Sequence, residues 1–212
     1  MLQRTVKRLS PGALLWLLLF SIVLTWSAIG PRDRLTWWLE VLPALLALLL
    51  LAATRRPFPL TKLSYVLILL HCFILMVGGH YTYAEVPLFD QLADWFGWTR
   101  NNYDKIGHLA QGFVPAIVAR ELLLRKRVVN GNGWRVLFVL CFCLALSAFY
   151  ELIEWWVALL SASAAESFLG TQGYVWDTQS DMLMALIGAG LALLTLSRLH
   201  DRQMAPLMDR SP

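Results

Sequence analysis

Charge is what this sequence has least of. Asp, Glu, Lys and Arg make up 15% of its 212 residues, against about 25% in an ordinary soluble domain. With 58% hydrophobic residues and a mean hydropathy of +0.58, a soluble globular class is excluded. Cysteine is also sparse. Cys72, Cys141 and Cys143 stand inside apolar runs, odd in number and without a C-x-x-C pair, which excludes a disulfide framework or zinc knuckle and leaves them as small buried hydrophobes. His-x-x-x-His, His-Glu-x-x-His and Glu-x-x-His are all absent, so the common helical metal signatures are missing. The net charge of +4 forms no basic patch, because the cations lie between apolar runs, and nucleic acid is not expected as a partner.

The apolar runs themselves set the fold class. Stretches at about 11–29, 36–53, 63–79, 105–124, 134–158 and 180–197 each approach the ~20 residues needed to cross ~30 Å of hydrocarbon. We expect an all-α polytopic membrane bundle, one integral membrane domain over 1–212 with six transmembrane helices. Ala28-Ile29-Gly30 would pass as a signal cleavage site, but the first run is long and Pro31 follows, which favours an uncleaved helix. In the connection 80–104, LFDQLADWFGW places Leu88, Leu92, Trp95 and Phe96 on one stripe and Asp90, Gln91 and Asp94 away from it. That pattern predicts a short helix lying in the membrane interface, either a gate or a cover over the bundle.

The cations report orientation. Arg4, Lys7, Arg8, Arg55, Arg56, Lys62, Arg120, Arg125, Lys126, Arg127, Arg135, Arg198, Arg202 and Arg210 fall on one side, against Arg32, Arg34, Arg100 and Lys105 on the other. The positive-inside rule then puts both termini in the cytoplasm and the connections 30–35, 80–104 and 159–179 outside. Trp26, Trp37, Trp38, Trp155, Trp156 and Trp176 fall at the outer ends, where an aromatic belt belongs.

Against this apolar background the acids stand out. Glu151 and Glu154 share one face of the fifth span, and a charge at mid-bilayer costs roughly 2.5–3.5 kcal/mol, so they call for partners. If that span enters near Val136, Glu151 lies about 7 Å beneath the outer boundary. At the same depth come His80 and Glu85, Asp104 and His108 at i, i+4, and Asp177 and Asp181 at i, i+4. The expected constellation has His108, Glu151 and Asp104 in catalytic positions, with His80, Glu85, Glu154, Asp177 and Asp181 binding substrate. Taken singly, Asp104, Asp177 and Asp181 read equally well as helix caps, and Thr178 with Asp181 resembles a capping box. His71 reads as a buried hydrogen-bonding side chain and His200 as a solvated one. Gly112, Pro115, Ala185, Gly188, Ala189 and Gly190 suit close helix packing.

Carboxylates with imidazole suit a divalent metal, or general acid–base work without one. The partners expected are the lipid bilayer and an amphiphilic or lipid-linked molecule at the outer leaflet, which the protein would bind or process. Proton-coupled transport and a purely structural polar cluster are the alternatives. No chain of ionisable residues crosses the inner halves of the spans beyond Arg120 and Glu121, which disfavours transport.

HYTYAEVPL, YDKIGHLAQGFVPAIVARE, FYELIEWW and FLGTQGYVWDTQSDM resemble the signature blocks of the YjdF-type bacterial inner-membrane proteins, an uncharacterised group. The resemblance runs from residue 60 onward and implies the inner membrane. More distantly, Asp104-Lys105 with His108, then Glu151, then Asp181 with Gly188 and Gly190, is similar to the order of polar residues in VanZ-like proteins, linked to glycopeptide resistance. Ala185 stands where that pattern has Asn, and its loop Arg has no counterpart.

Overall fold

The computed structural model describes residues 9–160 and 171–208. Within them the chain forms helices α1 (Pro11–Ala28), α2 (Arg34–Thr54), α3 (Lys62–Tyr81), α4 (Pro87–Phe96), α5 (Tyr103–Arg125), α6 (Asn132–Leu160) and α7 (Asp177–Met208). Local chemistry sets the starts. Ser10, Asp33 and Thr61 cap α1, α2 and α3 by accepting from the backbone N–H of Ala13, Thr36 and Ser64. Pro87 opens α4, and Gly97, at φ +67°, closes it in the left-handed conformation.

Five helices, α1, α2, α3, α6 and α7, are long and apolar enough to span a membrane. The sixth long helix, α5, is more polar because it is enclosed: α3, α6 and α7 pack around it, and most extensively α7. A helix walled off from lipid can carry polar side chains as long as its neighbours satisfy them. The interior has two apolar centres. Phe20, Trp37, Val41, Ala44, Leu69, Cys72 and Met76 join α1, α2 and α3. Ala116, Ile117, Ala119, Val139, Cys143, Ala189 and Ala192 join α5, α6 and α7.

Small residues decide how close α5 and α7 come. A methyl group at Gly112 would lie 1.7 Å from the carbonyl oxygen of Ala185, and one at Gly188 would lie 2.1 Å from that of Leu109. Backbone therefore meets backbone there. Gly190, expected in the same contact, faces open space and takes no part in it.

Four further expectations change. Trp37 is not part of an aromatic belt: it is buried, with its indole N–H donating to Ser27 Oγ, while Trp26, Trp38, Trp155, Trp156 and Trp176 are exposed. The last helix does not stop near residue 197 but continues to Met208, because its end has work to do at α3 and α5. There Gln203 Oε1 accepts from the free Leu63 N–H of α3's first turn, and His200, expected in solvent, is wholly buried against Glu121. Finally, α4 exists as expected, but Leu88, Trp95 and Phe96 point outward and only Ala93 is buried, so its apolar stripe does not cover the bundle.

Candidate functional site

The connections 55–61 and 126–131 mark a basic end of the bundle; α4 and the starts of α5 and α7 mark an acidic end. The acidic end is assembled by two loop contacts. Asn101 donates to Val86 O and Asp90 Oδ1, folding the segment after α4 back beneath it. Gln172 then clasps Asn101, accepting from its N–H at 2.9 Å and donating to its carbonyl at 2.8 Å. This places Arg100 over the first turns of α5 and α7.

Arg100 bonds Asp104 and, at 2.5 Å, Asp177. Lys105 Nζ lies 2.7 Å from both Asp177 Oδ1 and Asp181 Oδ1, and Tyr174 presents its ring to both cations. These are ion pairs at side chains at most 16% exposed, where removing one partner leaves an uncompensated charge. Thr178 sits inside α7 with its hydroxyl beside Glu151, and Asp181 is taken up by Lys105, so the expected capping box does not form.

One turn further into the bundle lies His108. Its Nδ1 is 3.0 Å from Gln111 Oε1 and 3.9 Å from Glu151 Oε1, and its Nε2 is 3.8 Å from Asp181 Oδ2. Its ring borders a cavity of about 150 Å³ lined by α2, α3, α5, α6 and α7. Its polar wall includes Glu40, Tyr83, Asp104, His108, Gln111, Tyr150, Glu154 and Asp181; Pro43, Leu75 and Leu146 form the apolar part. Tyr150 donates to Glu40 Oε2 at 3.0 Å across the gap. Tyr83 reaches the cavity wedged between α3 and α5: methyl groups at Gly78 or Gly107 would lie 2.1 and 2.8 Å from its ring. His71 lines this cavity and a second, apolar one between α3 and α5.

Six of the eight residues expected in the constellation converge: Asp104, His108, Glu151, Glu154, Asp177 and Asp181 are all buried at this end. His80 and Glu85 do not join them. His80 stacks on Trp26 with its Nδ1 3.0 Å from Ser27 O, and Glu85 pairs with Arg32 in an exposed bridge. Both therefore tie the end of α3 to α1 and the α1–α2 connection. Sequence reasoning passed over Glu40, although the cost that singled out Glu151 applies equally to an acid inside the second apolar run. It read Arg100 as a topology signal alone, and Lys105 as that and as a member of the VanZ-like order of polar residues. Tyr83, Tyr150 and Gln111 carried no signal at all.

The basic end holds a second buried cluster. Glu121, fully buried, accepts from Thr61 N, Thr61 Oγ1, Ser64 Oγ and Arg125, and pairs with His200 Nε2 at 3.2 Å. Arg120 donates to His200 Nδ1 and to Asp201. Every oxygen of Glu121 meets a donor here, with Arg125 Nε the buried donor left without a partner, and the cluster fastens α3, α5 and α7.

Six buried carboxylates, two cations and an imidazole gathered at one end of a lipid-facing bundle define a polytopic membrane protein with a polar site among its spans. Residues 12–202 match the family described as Predicted membrane protein (DUF2238), and the chain belongs to it. It is 51% identical over 187 residues to inner membrane protein YjdF of Escherichia coli K12, covering 88% of this chain and 90% of that one. It is thus a multi-pass inner-membrane protein, as the YjdF-type resemblance implied. No solved structure matches it.

Proposed function

We propose that the acidic end faces outward and that its pocket binds an amphiphilic or lipid-linked molecule at the outer leaflet. The observation that carries this reading is the cavity's mixed lining: carboxylates, imidazole and phenols stand beside Pro43, Leu75 and Leu146 in one chamber walled by α2, α3, α5, α6 and α7. Such a wall suits a ligand with a polar head and an apolar body. The exposed Trp95, Phe96 and Trp98 beside α4 suit the headgroup layer at the same level. Glu40, Asp104, His108, Tyr150, Glu154 and Asp181 line the cavity and would meet the head, with Glu151 and Asp177 standing behind them against His108 and Lys105. His108 borders the cavity with Glu151 3.9 Å behind it, a pairing that would let the same pocket move a proton on what it binds.

The test is thermal stabilisation of the purified protein in detergent by fractionated envelope lipids. A stabilising fraction should lose its effect on Glu154→Gln and Tyr150→Phe, and mass spectrometry of that fraction after incubation separates binding from turnover. Stabilisation equal in wild type and both variants refutes the pocket. For orientation, a reporter active only outside the cytoplasm should work when fused after Asp94 and be silent after Asn130; the reverse places the site on the cytoplasmic side.

A further inference from the structure

We infer that His108, Glu151 and Asp181 form a binding site for one divalent transition-metal ion. One ligand atom from each, a ring nitrogen and two carboxylate oxygens, lies within 4.8 Å of the others. Three protein ligands of this N,O,O type leave further coordination positions for water or a bound head, and suit zinc, manganese or ferrous iron. The inference does not require the amphiphile reading, since an ion can bind whether or not a lipid does.

Proximity of acids would not carry this alone. The neighbouring group Asp104, Asp177 and Asp181 is just as close, yet its charge is answered by side chains: Arg100 bonds Asp104 and Asp177, and Lys105 bonds Asp177 and Asp181. At His108 the arrangement differs in three respects. Glu151 Oε1 is buried, on a side chain 8% exposed, and has no hydrogen-bond partner among the described residues. An orphaned buried carboxylate oxygen is costly and calls for a cation or donor. Second, with Gln111 Oε1 accepting from His108 Nδ1, the Nε2 lone pair faces Asp181 Oδ2 at 3.8 Å, while Glu151 Oε1 lies 3.9 Å from the ring on its Nδ1 side. Two acceptors then confront each other with no proton between them, and a cation resolves that. Third, Asp181 divides its oxygens: Oδ1 takes Lys105, which leaves Oδ2 for the ion.

The surroundings fit as well. A metal-bound histidine commonly donates its other N–H to an oxygen that fixes its tautomer, which is the relation of His108 to Gln111. Asp104, Glu151, Asp177 and Asp181 bring four carboxyl groups together with only Arg100 and Lys105 to answer them, a shortfall of cation that a divalent ion would make up. His108 and Asp181 both line the cavity, so the open positions would face its contents.

The experiment uses the full chain, purified in detergent and stripped with chelator, titrated with Mn²⁺ or Zn²⁺ alone. We expect one saturable equivalent of Mn²⁺ by electron paramagnetic resonance, with nitrogen modulation from one imidazole in the wild-type protein. Glu151→Gln and His108→Gln, close to isosteric, should each weaken affinity by at least tenfold, and Glu85→Gln should leave it unchanged. The absence of a saturable site at millimolar metal, or of nitrogen modulation in wild type, overturns the proposal whatever the variants do. So does retention of full affinity in Glu151→Gln with its loss in Asp177→Asn, which would move the ion to the other acidic group.

Discussion

Replacing Gly112 by alanine tests the backbone contact on which the acidic end depends. The new methyl group would lie 1.7 Å from Ala185 O and 2.5 Å from its carbonyl carbon, and neither atom can rotate aside as a side chain could. Restoring an ordinary contact of 3.4 Å requires α5 and α7 to part locally by about 1.7 Å. Overpacking of a tight interior costs typically about 1–3 kcal/mol, and an obstruction made of backbone belongs at the upper end. Alanine's better helix preference returns up to about 1 kcal/mol, so we expect a net loss of roughly 2 kcal/mol. Unfolding of the detergent-solubilised protein by SDS, followed by tryptophan fluorescence, measures it. Gly190→Ala is the internal control: nothing lies within 4 Å of the added methyl, so the same change there should be neutral or slightly stabilising. Equal stability of the two variants would refute the reasoning. His108 and Asp181 lie one turn from Gly112 and Ala185, so Gly112→Ala should also weaken any ligand held between them.

Other expectations follow from the same contacts. Glu121→Ala should destabilise by about 3–5 kcal/mol, because Arg125 and His200 are left without their carboxylate, whereas Glu121→Gln keeps an acceptor for Thr61 and Ser64 and should lose less; SDS unfolding midpoints give the comparison. His108→Ala and Glu151→Gln, in contact at 3.9 Å, should show a coupling of roughly 0.5–3 kcal/mol in a double-mutant cycle, and simple additivity would separate them. Asp33→Ala removes the cap of α2 and should cost about 1 kcal/mol. The Thr36 N–H holds the Asp33 carboxyl below its ordinary value, so the cap contributes fully above about pH 4 and fades as pH falls through the lower folded-state value. The stability gap between wild type and Asp33→Ala should therefore shrink on acidification, measured by thermal unfolding from pH 7 downward.

The sequence alone determined the parts of this protein that the bilayer imposes. The cost of unpaired backbone allows only helices or closed barrels, and apolar runs near ~20 residues match the hydrocarbon thickness as helices, so they could be read directly as spans. The penalty on charge likewise marked Glu151 and Glu154, and the helical repeat put Asp104 with His108 and Asp177 with Asp181. Partner choice was not legible, because it depends on which helices adjoin and how closely. Gly112 and Gly188 were visible as packing residues, but only the fold shows that they bring α5 against α7 and so Asp181 to His108 and Lys105. His80 and Glu85 sit at the right depth for the site, yet the left-handed turn at Thr82 and Tyr83 sends Tyr83 into the bundle and leaves those two with α1 and Arg32. His200 looked like a tail residue because nothing local indicates that α7 continues beyond the apolar run to meet Glu121. Depth in the membrane is a property of one segment and is written in one segment; proximity belongs to pairs of segments, and backbone contact between helices decides it.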